Sequence, residues 1–216
     1  MQKIMFNDKF QLTKAVLEGR KTQTRRIIKC PREFKGEWVA GFNIHIRQSD
    51  KKVVGLPCMY DADEREFEEG ELLPRYKVGE IVAVAQSYSD CGNFPDYELD
   101  EYGYPIMPKN SGCFNKMFVK ADLMPHRIKI INVHIERLQD ISEEDCLAEG
   151  VYAYYYGDEE EKKFYEIPPN GYSFDGIDCH YSTPRAAYAE LIDKVSGKGT
   201  WESNPWVFVY DFELIK

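Results

Sequence analysis

The sequence predicts an α+β fold built on a small β-barrel of mostly antiparallel strands flanked by short helices. Three observations carry this. Two long segments, Arg127 to Leu138 and Trp206 to Ile215, are apolar at strand spacing. The helical stretches are few, short and bounded by capping residues, unlike those of a helical bundle. Aromatic residues make up 14% of the chain, with 15 Tyr and 12 Phe against 3 Trp, which favours strands and stacking surfaces.

Each element follows in order. Asp8 is placed to N-cap a first helix with the apolar stripe Phe10, Leu12, Ala15, Val16 and Leu17, and Gly19 supplies the left-handed position that ends it. Arg20 and Lys21 then complement the negative pole of that helix. Glu37 to Arg47 and Lys52 to Leu56 read as a hairpin turning near Ser49-Asp50, and Asp61 to Glu71 as a charged loop or short helix. Gly79 to Ala85 is a buried strand with Ile81, Ala83 and Ala85 opposite Val82 and Val84. Asp90 to Gly112, rich in Gly, Pro, Asp and Tyr, is a long surface loop.

The strongest strand carries Ile128, Ile130, Ile131, Val133 and Ile135. Ser142 caps a short helix over Glu143 to Glu149, closed by Gly150. Val151 to Tyr181 is a tyrosine-rich excursion holding the acidic run Asp158-Glu159-Glu160-Glu161. Thr183-Pro184 opens a last helix through Lys194, with Gly197 just past its end. In the final strand Trp206, Phe208, Tyr210, Phe212 and Leu214 face away from Val207 and Val209. No internal repeat is present, and residues 1–216 read as one domain.

Composition excludes several classes. At 43% hydrophobic and 30% charged, the chain is globular rather than disordered. Its N-terminus has no apolar run of signal-peptide length, and no stretch reaches the roughly 20 apolar residues of a spanning helix. The expectation is a soluble, cytoplasmic protein with no membrane partner. The six cysteines, at 30, 58, 91, 113, 146 and 179, form no Cys-x-x-Cys pair, and Cys179-His180 is the one Cys/His neighbour pair. Neither a disulfide framework, a metal site nor a cofactor is expected.

A net charge of −9 argues against a protein that coats duplex nucleic acid. The charges are segregated, however. Between Lys14 and Arg32 stand seven basic residues and only Glu18 of the opposite sign, and Asp61 to Glu71 holds seven acidic residues with Arg65 alone against them. The basic segment suits an anion-facing patch; two solvated faces would give the same pattern.

Within Gly19-Arg20-Lys21-Thr22-Gln23-Thr24-Arg25-Arg26, an extended chain puts Arg20, Thr22, Thr24 and Arg26 on one side and Lys21, Gln23 and Arg25 on the other. A turn at Thr22-Gln23 instead lets Lys21 and Thr24 converge. An amine beside a hydroxyl is the arrangement of a lysine-activated threonine nucleophile. Lys21 must then be neutral, its pKa brought from about 10.4 toward about 7 to 8 by burial and by the neighbouring arginines. A basic loop that only pairs with acidic neighbours is the competing reading.

The same segment, following an amphipathic helix, resembles the signature of the ASCH-domain family, a branch of the PUA-like superfamily. The resemblance continues at Lys77-Val78-Gly79-Glu80-Ile81-Val82-Ala83-Val84 and at Glu136-Arg137-Leu138-Gln139-Asp140-Ile141-Ser142-Glu143-Glu144-Asp145. It ends at Asn204-Pro205-Trp206-Val207-Phe208-Val209 with Phe212, like the terminal strand of larger, often phage- or prophage-encoded members. The matching segments span roughly half the chain. Relative to short members, insertions fall near 36–75, 90–115 and 151–181, and Gln86-Ser87-Tyr88 stands where larger members carry Arg-Glu-aromatic.

The resemblance implies a PUA-like barrel with a cleft between helix and sheet that takes RNA or a modified nucleoside. One short bacterial branch hydrolyses the amide of acetylated cytidine with a Lys, a Thr and a Glu, which fall by motif on Lys21, Thr24 and Glu149. Lys21 would take the Thr24 proton, Thr24 attack the acyl carbonyl, and Glu149 serve the leaving amine, with Arg26 or Gln86 stabilising the oxyanion. Arg20, Thr22, Arg25, Arg26, Gln86, Tyr88 and Trp206 are the expected ligand-binding residues. Tyr88, Trp206 and the cluster Tyr154-Tyr155-Tyr156 offer stacking faces, although core or interface packing is the favoured role of Trp206. Two other readings remain open: a non-catalytic recognition module for RNA or a modified base, and a phage or prophage effector that binds a host protein through its acidic insertions.

Overall fold

The computed structural model describes residues 1–92, 98–106, 111–155, 171–175 and 181–215. In chain order the strands are β1 (Lys3–Ile4), β2 (Gln23–Ile27), β3 (Glu33–Phe34), β4 (Glu37–Trp38), β5 (Gly41–Asn43), β6 (Cys58–Tyr60) and β7 (Glu66–Glu71). They continue with β8 (Ile81–Val84), β9 (Glu98–Leu99), β10 (Pro105–Ile106), β11 (Arg127–Arg137), β12 (Tyr152–Tyr154), β13 (Gly171–Ser173) and β14 (Trp206–Ile215). The helices are α1 (Leu12–Leu17), α2 (Tyr88–Cys91), α3 (Glu143–Ala148), α4 (Pro184–Ser196) and α5 (Thr200–Ser203). The architecture is α+β.

The two segments with the strongest strand pattern pair with each other. β11 and β14 run antiparallel from Arg127↔Ile215 to Arg137↔Trp206, with a register shift between Ile130 and Asn132. Alternation leaves Ile131 on the outer face, half exposed, while Ile128 and Ile130 are fully buried. The central sheet has the order β1-β8-β11-β14-β2, with β1 parallel to β8 and the other pairs antiparallel. β14 is buried on both faces, through Val207 and Val209 on one and Phe208, Tyr210 and Phe212 on the other. Each such side chain contributes about 1.5–3 kcal/mol. The outermost strands of the sheet approach one another, since Arg26 Nη2 on β2 donates to the Met5 carbonyl just beyond β1 at 2.8 Å.

Helix α4 closes the core with Ala187, Tyr188, Leu191 and Ile192, four residues at helical spacing. Thr183 caps it through Ala186 N–H, and Pro184 occupies its first turn. Ser142 caps α3 by accepting from Asp145 N–H, and Gly150 follows with a φ of 105°. No helix among the described residues is long and apolar enough to cross a membrane.

Several elements differ from the sequence reading. Asn7, not Asp8, caps the first helical turn, which is a 3-10 turn over Asp8–Phe10. The Asp8 carboxylate is taken by Thr13 Oγ1 at 2.5 Å and by Lys116 at 2.7 Å, and Gln11, at a φ of 55°, separates that turn from α1. Asp61 to Glu71 is neither loop nor helix throughout. Asp61 Oδ1 accepts from Asp63 N–H and Arg65 N–H to form a turn, and Glu66–Glu71 is β7, paired to β6. Backbone pairing there leaves most of the acidic side chains in water.

Of the expected 37–56 hairpin, the end turning near Ser49-Asp50 forms, through the bridge Ile46↔Val53 and the bonds from Arg47 N–H to the Lys52 carbonyl and from Val54 N–H to the His45 carbonyl. Beyond it, β4 pairs with β3 and β5 with β6. The 90–112 loop carries the end of α2 and the β9–β10 hairpin. The 151–181 excursion supplies β12 and β13, which pair. Tyr156, the acidic run 158–161 and Cys179-His180 lie outside the described residues.

Candidate functional site

The basic segment is held from three sides before any side chain is considered. Arg20 N–H and Lys21 N–H both donate to the Ala15 carbonyl of α1, at 2.9 and 3.0 Å. Thr22 N–H donates to the Ala148 carbonyl at the end of α3 at 2.9 Å, and the Thr22 carbonyl accepts from Phe212 N–H of β14 at 2.8 Å. The chain therefore pivots through residues 20–22 between α1, α3 and the sheet, and β2 begins at Gln23. Gly150 makes the pivot possible. A Cβ there would lie 3.3 Å from Leu12 Cδ2 and 3.6 Å from Lys21 Cβ.

This pivot drives the Lys21 side chain inward until only 1% of it is exposed. Its ammonium donates to the Gln23 carbonyl at 2.8 Å, to the Glu149 carbonyl at 2.7 Å and to the Glu149 carboxylate through Oε2. Those three acceptors match its three protons. The other oxygen, Oε1, accepts from Arg25 N–H at 2.6 Å and faces Arg25 Nη1 at 3.3 Å. Burial pulls the Lys21 pKa below that of an ordinary lysine, with Glu149 working in the opposite direction.

Arg25 is the hub of the network, with none of its side chain exposed. Its Nε donates to Glu136 Oε1 at 2.7 Å, its Nη2 to Asp145 Oδ2 at 3.3 Å, and its Nη1 to Gln23 Oε1. Burial opposes its charge, and Glu149, Tyr188 and Glu136 outweigh that, so its pKa is raised. Gln23 Nε2 extends the network to Asp211 Oδ1 at 2.6 Å, which leads to Asn132. His134, beside Glu136 at 3.5 Å, has a raised pKa because of that carboxylate.

A cavity of about 790 Å³ opens over this assembly. Lys21, Thr24 and Glu149 all line it, together with Arg25 and Arg26, over an apolar wall of Phe6, Leu12, Tyr188, Leu191 and Ile192. The volume falls within the usual range for a small-ligand pocket. Lys9, Arg26 and Lys29 add positive charge to the lining, and none of them has a carboxylate partner among the described residues. Phe6 presents its ring beneath two cations, with Lys21 Nζ 5.7 Å and the Arg26 guanidinium 5.9 Å from its centroid.

The expected ligand-binding residues divide. Arg25 and Arg26 line the cleft. Thr22 is exposed beside it. Arg20 turns away to stack on Tyr152, 3.8 Å from the ring centroid, and to pair with Glu18 at 2.9 Å. Gln86 is buried and its carbonyl oxygen meets His126 Nδ1 at 2.8 Å. Tyr88 is fully buried in a second apolar cluster with Ala83, Ala85, Cys113, Val119 and Met124. Trp206 packs partly against the core and lines a different cavity.

Tyr188, Lys116, Glu136 and Asp145 were not legible as site residues. Tyr188 sits on the apolar stripe of α4 and reads as core. Lys116 reaches the cleft from far along the chain to bind Asp8, with no local signal. Among the described residues no group of three or more His, Cys, Asp or Glu side chains is arranged to hold a metal ion. No protein-family model, curated protein or solved structure matches this chain. The chemistry of the cleft therefore follows from its own atoms.

Proposed function

We propose that this chain is an ASCH-type protein with a PUA-like barrel that takes an N-acylated cytidine, free or in RNA, into the Lys21 cleft and hydrolyses its amide. One observation carries the reading: a buried Lys21–Glu149 pair and Thr24 line the same cavity as Lys9, Arg26 and Lys29, which have no carboxylate partner among the described residues. The approach of β2 to the end of β1 supports a curled sheet of the barrel kind.

Each step follows from the pair. Proton transfer from the Lys21 ammonium to the adjacent Glu149 carboxylate leaves Lys21 as a neutral amine, the form that its burial favours. Lys21 then accepts the Thr24 hydroxyl proton as Thr24 Oγ1 bonds to the acyl carbon. Arg26 stabilises the oxyanion from the cleft lining. As the C–N bond breaks, Glu149 gives its proton to the leaving amine, releasing cytidine and an acyl ester on Thr24. Lys21 passes the proton it took from Thr24 back to Glu149, and water attacks the ester as the neutral Lys21 takes its proton. Lys21 then gives that proton to the departing Thr24 Oγ1, releasing the carboxylic acid and free Thr24. Phe6 and Tyr188 offer ring faces to the base.

A second reading is a recognition module without chemistry. It is favoured by the resting state of Lys21, whose three protons are all engaged by acceptors other than Thr24. Mass-spectrometric turnover of a panel of acylated cytidines separates the two. Hydrolysis by the wild type that vanishes in Lys21→Ala and Thr24→Ala supports the enzyme. Tight binding without turnover by folded wild type replaces it with the module.

A further inference from the structure

A second cavity of about 960 Å³ lies along the part of β11 that β8 leaves uncovered, since β8 pairs only with Arg127–Lys129. One wall is His134, Arg137 and Trp206, and the opposite wall is the inserted segment holding Lys51, Lys52 and Leu56. We propose that this cavity is a separate nucleotide-binding site, for a planar base carrying a ribose and a phosphate, distinct from the Lys21 cleft.

Three features match the three parts of such a ligand. The Arg137 guanidinium lies 4.3 Å from the centroid of Trp206, and its Nη1 is fixed by the Asn204 carbonyl at 3.1 Å. That gives a stacked, delocalised cation–aromatic platform of the kind that accepts any base face. Trp206 is only partly buried, so the platform borders the cavity rather than the core. Lys51 bonds only a neutral group, Gln48 Oε1 at 2.9 Å, and Lys52 has no carboxylate partner among the described residues. Both are exposed on the insertion, where a phosphate is accessible to them.

Asp140 supplies the third feature, a carboxylate able to accept from ribose hydroxyls. The remaining carboxylate in the lining, Glu136, is already engaged by Arg25 and His134 and adds little repulsion. A peptide needs none of this combination; an acidic peptide would use the lysines and leave the platform idle. The site is independent of catalysis at Lys21, because Arg25 and Glu136 stand between the two linings.

The test is a titration of the full chain with adenosine 5′-monophosphate, with adenosine and a polyglutamate peptide as controls, followed by NMR at the Trp206 indole and His134 imidazole. The expected result is a shift of both signals by the nucleotide and at least about tenfold weaker binding of adenosine. Lys51→Glu/Lys52→Glu, on an exposed segment, should weaken the nucleotide about tenfold or more, and Lys29→Ala, an exposed change in the other cleft's lining, should leave it unchanged. No shift at Trp206, an affinity indifferent to the double lysine variant, or peptide binding equal to that of the nucleotide would overturn the proposal. Loss of cleft hydrolysis with this binding intact would bear on the Lys21 reading alone.

Discussion

Arg25 shows how much a single side chain can decide. It is fully buried among Glu136, Asp145 and Glu149 and also offers its backbone N–H to Glu149. Removing one member of a buried ionic network leaves the others uncompensated, at a cost of about 3–5 kcal/mol. Arg25→Ala should therefore lose stability of that order in urea denaturation, and Arg25→Lys should recover only part of it because an ammonium lacks the planar fork. A loss within about 0.5 kcal/mol would show that the network contributes little. The sequence pattern put Lys21, Gln23 and Arg25 on one side of an extended chain, and those three do meet α3. It could not show that Arg25 also braces a buried ionic network, because the carboxylates it pairs with come from 111 to 124 residues away.

At the scale of elements, legibility followed locality. β11, β14, α3 and α4 were all readable, because alternation, caps and helical spacing are written in adjacent residues. β7 was missed since its strand character comes from pairing with β6, while its composition is that of a solvated loop. The split of the first helix was missed because Asp8 is engaged by Lys116, which is remote in the chain. Gly150 is the element-scale counterpart of Arg25. Its positive φ turns the chain at the end of α3, where an added Cβ would press on Leu12 and meet Lys21 Cβ. Gly150→Ala should cost about 1–2 kcal/mol from backbone strain alone, seen as a lowered melting temperature, and should perturb the cleft. An unchanged melting temperature would show that the turn relaxes freely.

Over the whole molecule, an acidic chain places groups of cations in two cavities against one sheet. The Lys21 cleft was foreshadowed by the 19–26 segment, whose density of cations, threonines and a preceding helix is local. The second cavity was not, because it forms only where the segment around Lys51 to Leu56 meets β11 and β14. Its one visible sign was Trp206. Segments outside the central sheet thus supply Lys116 to one cavity and Lys51 and Lys52 to the other.

The most direct measurement is an acid quench of wild-type protein during reaction with N-acetylated cytidine, followed by peptide mass spectrometry. The expected result is an acetyl ester on the peptide carrying Thr24, absent in Thr24→Ala. Release of cytidine with that peptide unmodified would contradict Thr24 as the nucleophile, and no release at all would contradict hydrolysis in the cleft.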